Sequence, residues 1–299
     1  MDSMAEKYLG GLQDDGKSLK TVITYRTVLT QFIKWFNETY DTASIEKVTP
    51  LDIKEYKQYL VAVLKRKPAT VNKAIVTLKG FFEWAAENDF IKVNPTRKIK
   101  LVEKQVAAPK WLERSDQFRL LRSVEQEKNE FKQARDKAII LMMLGAGLRV
   151  EEVTNLELTD IAINSRSGSV VIRQGKRDKY REIPLNKDVR DAVKEYLNKR
   201  DRHKKKESRF LFVSERSDKI TTRALQHLIS EYGYRAKIDG LTCHQLRHSF
   251  CHNLILAGEG IEKVAMLAGH KSIETTRVYT IPGEKELQQA VEKISFADD

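Results

Sequence analysis

Between Asn94-Pro95 and Pro109 the chain runs through TRKIKLVEKQVAAPK, a polar, basic stretch in which no apolar periodicity survives. Such a break reads as a linker, and it divides 299 residues into two halves, each long enough to bury a core of its own. The half before it reads as helices. Ser18 can cap a helix whose apolar positions Val22, Tyr25, Val28, Leu29, Phe32, Ile33 and Phe36 recur at three- and four-residue steps. Thr49-Pro50 with Asp52 is a helix start: a cap, a proline at the first position, and an acid in the first turn. Val71, Ala74, Ile75, Leu78, Phe81, Phe82 and Ala85 mark another amphipathic helix, and a short one over Met4–Leu12 completes a four-helix unit.

The half after the break is mixed. Arg135–Leu144 reads as a buried helix ended by Gly145 and Gly147, with a new helix opening at Arg149. Ser169–Arg173 and Tyr180–Leu185 are β-rich runs joined by QGKRDK, which predicts a hairpin with a charged tip. From Lys187 onward the pattern is mainly helical, interrupted by the charge-dense RDRHKKKESR at 200–209, a solvated loop or a phosphate contact.

Composition narrows the function. Hydrophobic residues at 41% and charged residues at 32% describe a globular chain, not a disordered one. Lysine and arginine number 54 against 42 acids, a formal charge of +12 that attracts polyanions, with nucleic acid the commonest partner. Two cysteines, Cys243 and Cys251, are too few for a disulfide framework. The start MDSMAEKYLGG has no apolar signal-peptide core, and the longest apolar stretch, 138–148, is too short to span a membrane. The expectation is a cytoplasmic protein of a reducing compartment, with no membrane contact.

Four separated segments carry candidate chemistry. In GAGLRVEEVTNLELTDI, Arg149 follows a glycine-marked helix break, where backbone N–H groups also favour anions. In VVIRQGKRDKYREIPL, Lys176 sits at a glycine-containing turn that can reach a bound ligand. In HQLRHSFCHNL, His244, Arg247, His248 and Cys251 share one helical face. His244, His248 and His252 also form a metal-like stripe, but neither an HExxH glutamate nor a second cysteine pair accompanies it, so no metal is expected. In LAGHKSIETTRVYT, His270 and Tyr279 bracket a short polar stretch. Each segment alone is compatible with an ordinary surface or core residue.

Together and in this order they resemble the motifs of the tyrosine recombinase, or phage integrase, family. That family has an arginine in GLR-x-x-E, a hairpin lysine in GK…R…PL, an H-x-L-R-H box, and GH followed by a nucleophilic tyrosine. Here these are Arg149 with Glu152, Gly175-Lys176 with Arg181 and Pro184-Leu185, His244–His248, and Gly269-His270 with Tyr279. The chain departs from the pattern at Cys251, where a small residue such as alanine is usual, and at Ala268, where leucine is common.

The resemblance implies a mainly α fold with a small β-hairpin or sheet, arranged as a two-domain clamp. A helical, SAM-like core-binding domain would cover residues 1–94, a linker 95–110, and a mixed α+β catalytic domain 111–299 with an exchange helix at about 283–295. It implies a site-specific recombinase acting on double-stranded DNA as a homotetramer, without metal, cofactor or ATP, for integration, excision or resolution. Helices that begin within the first few residues point to the simpler Xer-type and transposon or plasmid resolvase members, with accessory proteins left open. The site residues implied are Arg149, Lys176, His244, Arg247, His270 and Tyr279 as nucleophile. Arg149 and Arg247 would clamp the phosphate oxygens, aided by a hydrogen bond from His270. Lys176 would protonate the leaving 5′-oxygen, and His244 would take the tyrosine proton. The surrounding cations are expected to favour the Tyr279 phenolate. A type IB topoisomerase, which is similar in its catalytic residues, and a non-enzymatic DNA-binding protein are the competing readings.

Overall fold

The computed structural model describes residues 2–41, 44–103, 109–174, 179–270, 272–280, 287–288 and 291–292. It divides into two compact units, Met1–Val106 and Ala107–Asp299.

In the first unit α1 (Asp2–Asp14), α2 (Leu19–Tyr40), α3 (Pro50–Gln58) and α4 (Pro68–Glu87) surround one core. The local signals place the helix starts. Ser18 Oγ accepts from the backbone N–H of Thr21 at 3.1 Å. Thr49 and Asp52 cap each other, the Asp52 carboxylate accepting from the Thr49 N–H at 2.8 Å. Burial of the aromatic stripe then ties the helices together. Phe32 of α2 meets Tyr56 of α3 and Phe82 of α4 edge-on, with ring centroids 5.1 and 6.0 Å apart. The chain leaves α3 through a wider π turn at Tyr59–Val63, which no spacing in the sequence signals.

Part of the stretch read as linker is bound to this unit. Ile99 is buried in its core, and the Asn72 side chain exchanges two hydrogen bonds with the Val102 backbone at 2.8 and 2.7 Å. Ile99, Leu101 and Val102 are too few to leave a periodic trace, so the anchoring of this stretch is invisible in the pattern.

The second unit builds on α6 (Glu130–Gly145), in which Ala138, Ile139, Ile140, Met142 and Met143 are fully buried. Around it stand α5 (Arg114–Glu125), α7 (Val150–Asn155), α8 (Lys187–Arg200), α9 (Thr222–Arg235) and α10 (Cys243–Leu256). The hairpin expected from the sequence is present as β2 (Gly168–Gln174) and β3 (Lys179–Pro184), with Val170 opposite Ile183 and Ile172 opposite Arg181. A short β1 (Ile161–Ile163), too brief to show alternation, completes an antiparallel sheet in the order β1-β2-β3. Finally α11 (Ile261–Ala268) and α12 (Glu274–Arg277) lead to Tyr279. The mainly helical fold with a small sheet is therefore the one the sequence implies.

The charge-dense loop at 200–209 has a structural centre. Arg200 is only 2% exposed, and its guanidinium donates to the carbonyls of Phe210 at 2.9 Å, Lys206 at 3.0 Å and Leu211 at 3.1 Å. Of the exchange helix expected at about 283–295, only 287–288 and 291–292 are among the described residues; they are helical, with Leu287 and Val291 exposed. Among the described residues no helix is long and apolar enough to cross a membrane.

Candidate active site

The site forms where the start of α7, strand β3, helix α10 and the end of α11 converge. Its local folding follows from two glycines. Gly147 has φ +65°, and a Cβ there would lie 2.2 Å from the Phe250 ring. Gly269 ends α11 with φ +62°, and a Cβ there would lie 2.8 Å from the Arg181 guanidinium. Both turns need the left-handed region and close approach together, which only glycine combines without strain.

The C-terminus of α11 presents carbonyls that its own helix cannot satisfy. Three arginines take three of them in succession. Arg181 Nε donates to Leu267 O at 3.2 Å, Arg247 Nη2 donates to Ala268 O, and Arg149 Nη2 donates to Gly269 O at 2.8 Å. Cations at a helix C-terminus are also favoured by its dipole. The next residue in the chain is His270, so the arginines and this histidine are held by one turn of backbone.

Glu152 binds the arginines from the other side. Its carboxylate accepts from the Arg149 N–H and Nη1, both at 2.8 Å, and from Nη1 and Nη2 of Arg181, both at 2.9 Å. Burial alone would raise the Glu152 pKa, but the Arg181 and Arg149 partners outweigh it and hold the carboxyl below its usual value. Arg247 is 4% exposed and donates its Nη1 to the Gly147 carbonyl. Burial, then repulsion from Arg149, lowers its pKa to about 10. It remains charged at neutral pH.

Tyr279 is 3% exposed, and its ring faces those of His248 and His270 at centroid distances of 5.4 and 6.3 Å. Its hydroxyl shares a hydrogen bond with His248 Nδ1 and contacts the buried thiol of Cys251. Here the free chain differs from the expectation of a favoured phenolate. Burial and the Cys251 neighbour push the phenol above its ordinary pKa, and the pull of Arg247 and Arg149 does not compensate. Both histidines are neutral at physiological pH: burial first, then nearby positive charge, lowers His248 and His270 to about 4. His270 Nδ1 lies 2.7 Å from Thr276 Oγ1.

Of the six residues singled out in the sequence, Arg149, Arg247, His270 and Tyr279 come together here. His244 is exposed one turn before His248, with ring centroids 6.4 Å apart. Lys176, between β2 and β3, lies outside the described residues. His252, third in the histidine stripe, turns away and stacks on Trp111 at 3.9 Å. Among the described residues no group of three His, Cys, Asp or Glu is arranged to hold a metal ion. Sequence reasoning gave no role to His248, although its four-residue step from His244 placed it on the right face, nor to Glu152 and Arg181, which it saw only as motif members.

Two guanidiniums, those of Arg247 and Arg149, thus stand close enough to Tyr279 to act on its hydroxyl electrostatically. Comparison with known proteins shows the family. Residues 110–286 match the phage integrase family, and residues 5–88 match the phage integrase N-terminal SAM-like domain. The chain is 31% identical to the tyrosine recombinase XerC of Thermodesulfovibrio yellowstonii, over 93% of this chain and 91% of that one. It is 30% identical to the TnP I resolvase of Bacillus thuringiensis, over 97% of this chain and 99% of that one. Its fold is similar to that of the XerH site-specific recombinase in a post-cleavage complex with difH DNA, with a TM-score of 0.79 at 23% identity over 92% of this chain and 80% of that one. The chain belongs to the phage integrase family, the tyrosine recombinases.

Proposed function

We propose that this protein is a cytoplasmic site-specific recombinase that cuts and rejoins double-stranded DNA through a 3′-phosphotyrosine on Tyr279, within a homotetramer on two sites. The observation that carries the reading is the convergence of Arg149, Arg247 and His270 around the Tyr279 ring. Attack by the phenolic oxygen builds negative charge on the non-bridging phosphate oxygens, and fixed donors aimed there are the main source of rate. The two guanidiniums, held by backbone carbonyls, are already oriented for it. We assign Thr276 Oγ1 as the donor to His270 Nδ1, 2.7 Å away; the Nε2 of that ring then carries the proton and serves as a further donor. Lys176 is the proposed acid for the leaving 5′-oxygen.

The free chain holds its nucleophile back. Tyr279 is buried and locked to His248, so a phosphate must draw it out before attack. Once it moves, the exposed His244 is the proposed proton acceptor. The phosphotyrosine conserves the energy of the broken bond, so rejoining needs neither ATP nor a metal.

The test is a nicked suicide duplex carrying a core site selected by the wild-type chain from a randomised pool. Wild type should form a covalent adduct and Tyr279→Phe none, at equal affinity. An adduct from Tyr279→Phe overturns the assignment. Joined products from two marked sites would show recombination; relaxation of a supercoil without joining would show a topoisomerase.

A further inference from the structure

In the sequence Arg181 is a motif member without a role, and its geometry supplies one. Its side chain is 11% exposed, and all three of its nitrogens are used inside the protein. Two donate to the two oxygens of Glu152, and the third to Leu267 O. Each nitrogen of this guanidinium already has a partner inside the protein, and little of the side chain faces outward.

Charge shows what the pairing does. Three arginines, Arg149, Arg181 and Arg247, and one carboxylate, Glu152, make a cluster of net charge +2. Glu152 touches both Arg149 and Arg181, but with Arg149 it engages one guanidinium nitrogen and with Arg181 it forms the two-pronged pair. A fork-to-carboxylate pair is the stronger and the more directional of the two. The Glu152 charge is therefore shared, with the two-pronged part on Arg181, and Arg149, with a third of its side chain exposed, keeps part of its own for a ligand. Without Arg181, the buried carboxylate would turn on Arg149, and the cluster would fall to +1 with its remaining acid beside the phosphate.

Position follows the same logic. The Arg181 guanidinium packs where a Cβ on Gly269 would be, and holds the carbonyl of Leu267 just before it. The turn that delivers His270 thus rests on a residue of β3. We infer that Arg181 is a positioning residue: it shares and orients the Glu152 carboxylate, so that Arg149 presents an aligned and only partly compensated guanidinium to the scissile phosphate. This rests on the recombinase reading above.

The experiment measures single-turnover adduct formation and DNA affinity separately, on the same nicked duplex. Arg181→Met should slow cleavage by about 10²-fold, the scale for losing one fixed charge stabiliser. Affinity should change by less than about threefold, since many other basic residues contact phosphate. Adding Glu152→Gln should then restore at least roughly tenfold of the rate, because the neutral amide no longer opposes Arg149. Loss of packing would not be repaired by a second substitution that removes a charge. Equal rates for Arg181→Met and wild type, a proportional fall in affinity, or no gain in the double variant would overturn the inference. If thermal melting shows Arg181→Met unfolded, Arg181→Lys carries the test. It keeps the charge but not the fork, and should cleave roughly tenfold below wild type; a wild-type rate overturns the inference. Wild type and Tyr279→Phe run alongside. No adduct from wild type, or an adduct from Tyr279→Phe, would defeat the recombinase reading itself, which no result with Arg181 alone can do.

Discussion

Two arginines in the second unit are almost equally buried and are held in opposite ways. Arg200, the last residue of α8, donates from all three nitrogens to backbone carbonyls and has no arginine among these partners. Arg247, on α10, gives one nitrogen to Gly147 O and one to Ala268 O, and stands close enough to Arg149 for their repulsion to lower its pKa. Satisfying carbonyls with a cation organises a loop and relieves polar groups that burial would leave orphaned. Crowding two cations together does the reverse: it stores a charge that the free protein does not neutralise. Burial by itself therefore says nothing about whether a charged residue is structural or functional. What decides is whether its neighbours complete it.

The sharpest way to break this comparison is to remove each arginine in turn. Arg247→Ala should cut single-turnover cleavage by about 10³-fold, while DNA affinity moves only a few-fold. If affinity and cleavage fall in step, Arg247 is an ordinary anchor and the contrast fails. Arg200→Met should do the opposite. It strands buried carbonyls and should lower unfolding free energy by about 2–4 kcal/mol in urea, with the folded fraction cleaving normally. A variant as stable as wild type would show that the loop does not depend on its arginine.

A smaller effect is expected at Gly269, where both functions meet. Gly269→Ala forces a side chain into the left-handed region and against Arg181, which should cost about 1 kcal/mol. Cleavage should fall roughly tenfold as the His270 turn shifts. Loss of stability alone, with cleavage intact, would separate the turn from the chemistry.

A further effect, on stability alone, is a pH dependence. His248 and His270 have pKa values lowered to about 4 in the folded chain, against 6.5 ordinarily. Between these values the unfolded chain binds more protons than the folded one. Stability from these groups is thus complete above about pH 6.5 and is lost as pH falls towards 4. Urea unfolding at pH 7 and pH 5 should show the fall, and His248→Gln should flatten it. An unchanged slope in that variant would mean that His248 is not held neutral by its burial against Tyr279.

Much of this architecture is legible in the sequence because its causes are local. Ser18 and the Thr49–Asp52 pair start helices through bonds spanning three residues, and the α2 and α4 stripes bury along one face. The β2–β3 pairing follows from two β-rich runs on either side of QGKRDK. The features that were missed lack such a local cause. Ile99 and Val102 join the first core from a stretch with no helical or strand period, β1 has only three residues, and the π turn at Tyr59–Val63 breaks helical spacing without glycine or proline.

The candidate site divides along the same line. The sequence by itself determined which residue types are present: the arginines, the histidines, the tyrosine, and the two glycines whose backbone angles let the site close. It could not assign partners. Glu152 and Arg181 are 29 residues apart, Arg149 and Gly269 are 120, and His248 and Tyr279 are 31. Those contacts exist only because α7, β3, α10 and the end of α11 pack around one point. Tertiary structure alone decided that Arg181 faces inward to Glu152, that His248 and not His244 holds the resting tyrosine, and that burial keeps its hydroxyl protonated. Electrostatic roles depend on distance through space and on exclusion of water, and neither quantity is written in the order of residues along a chain.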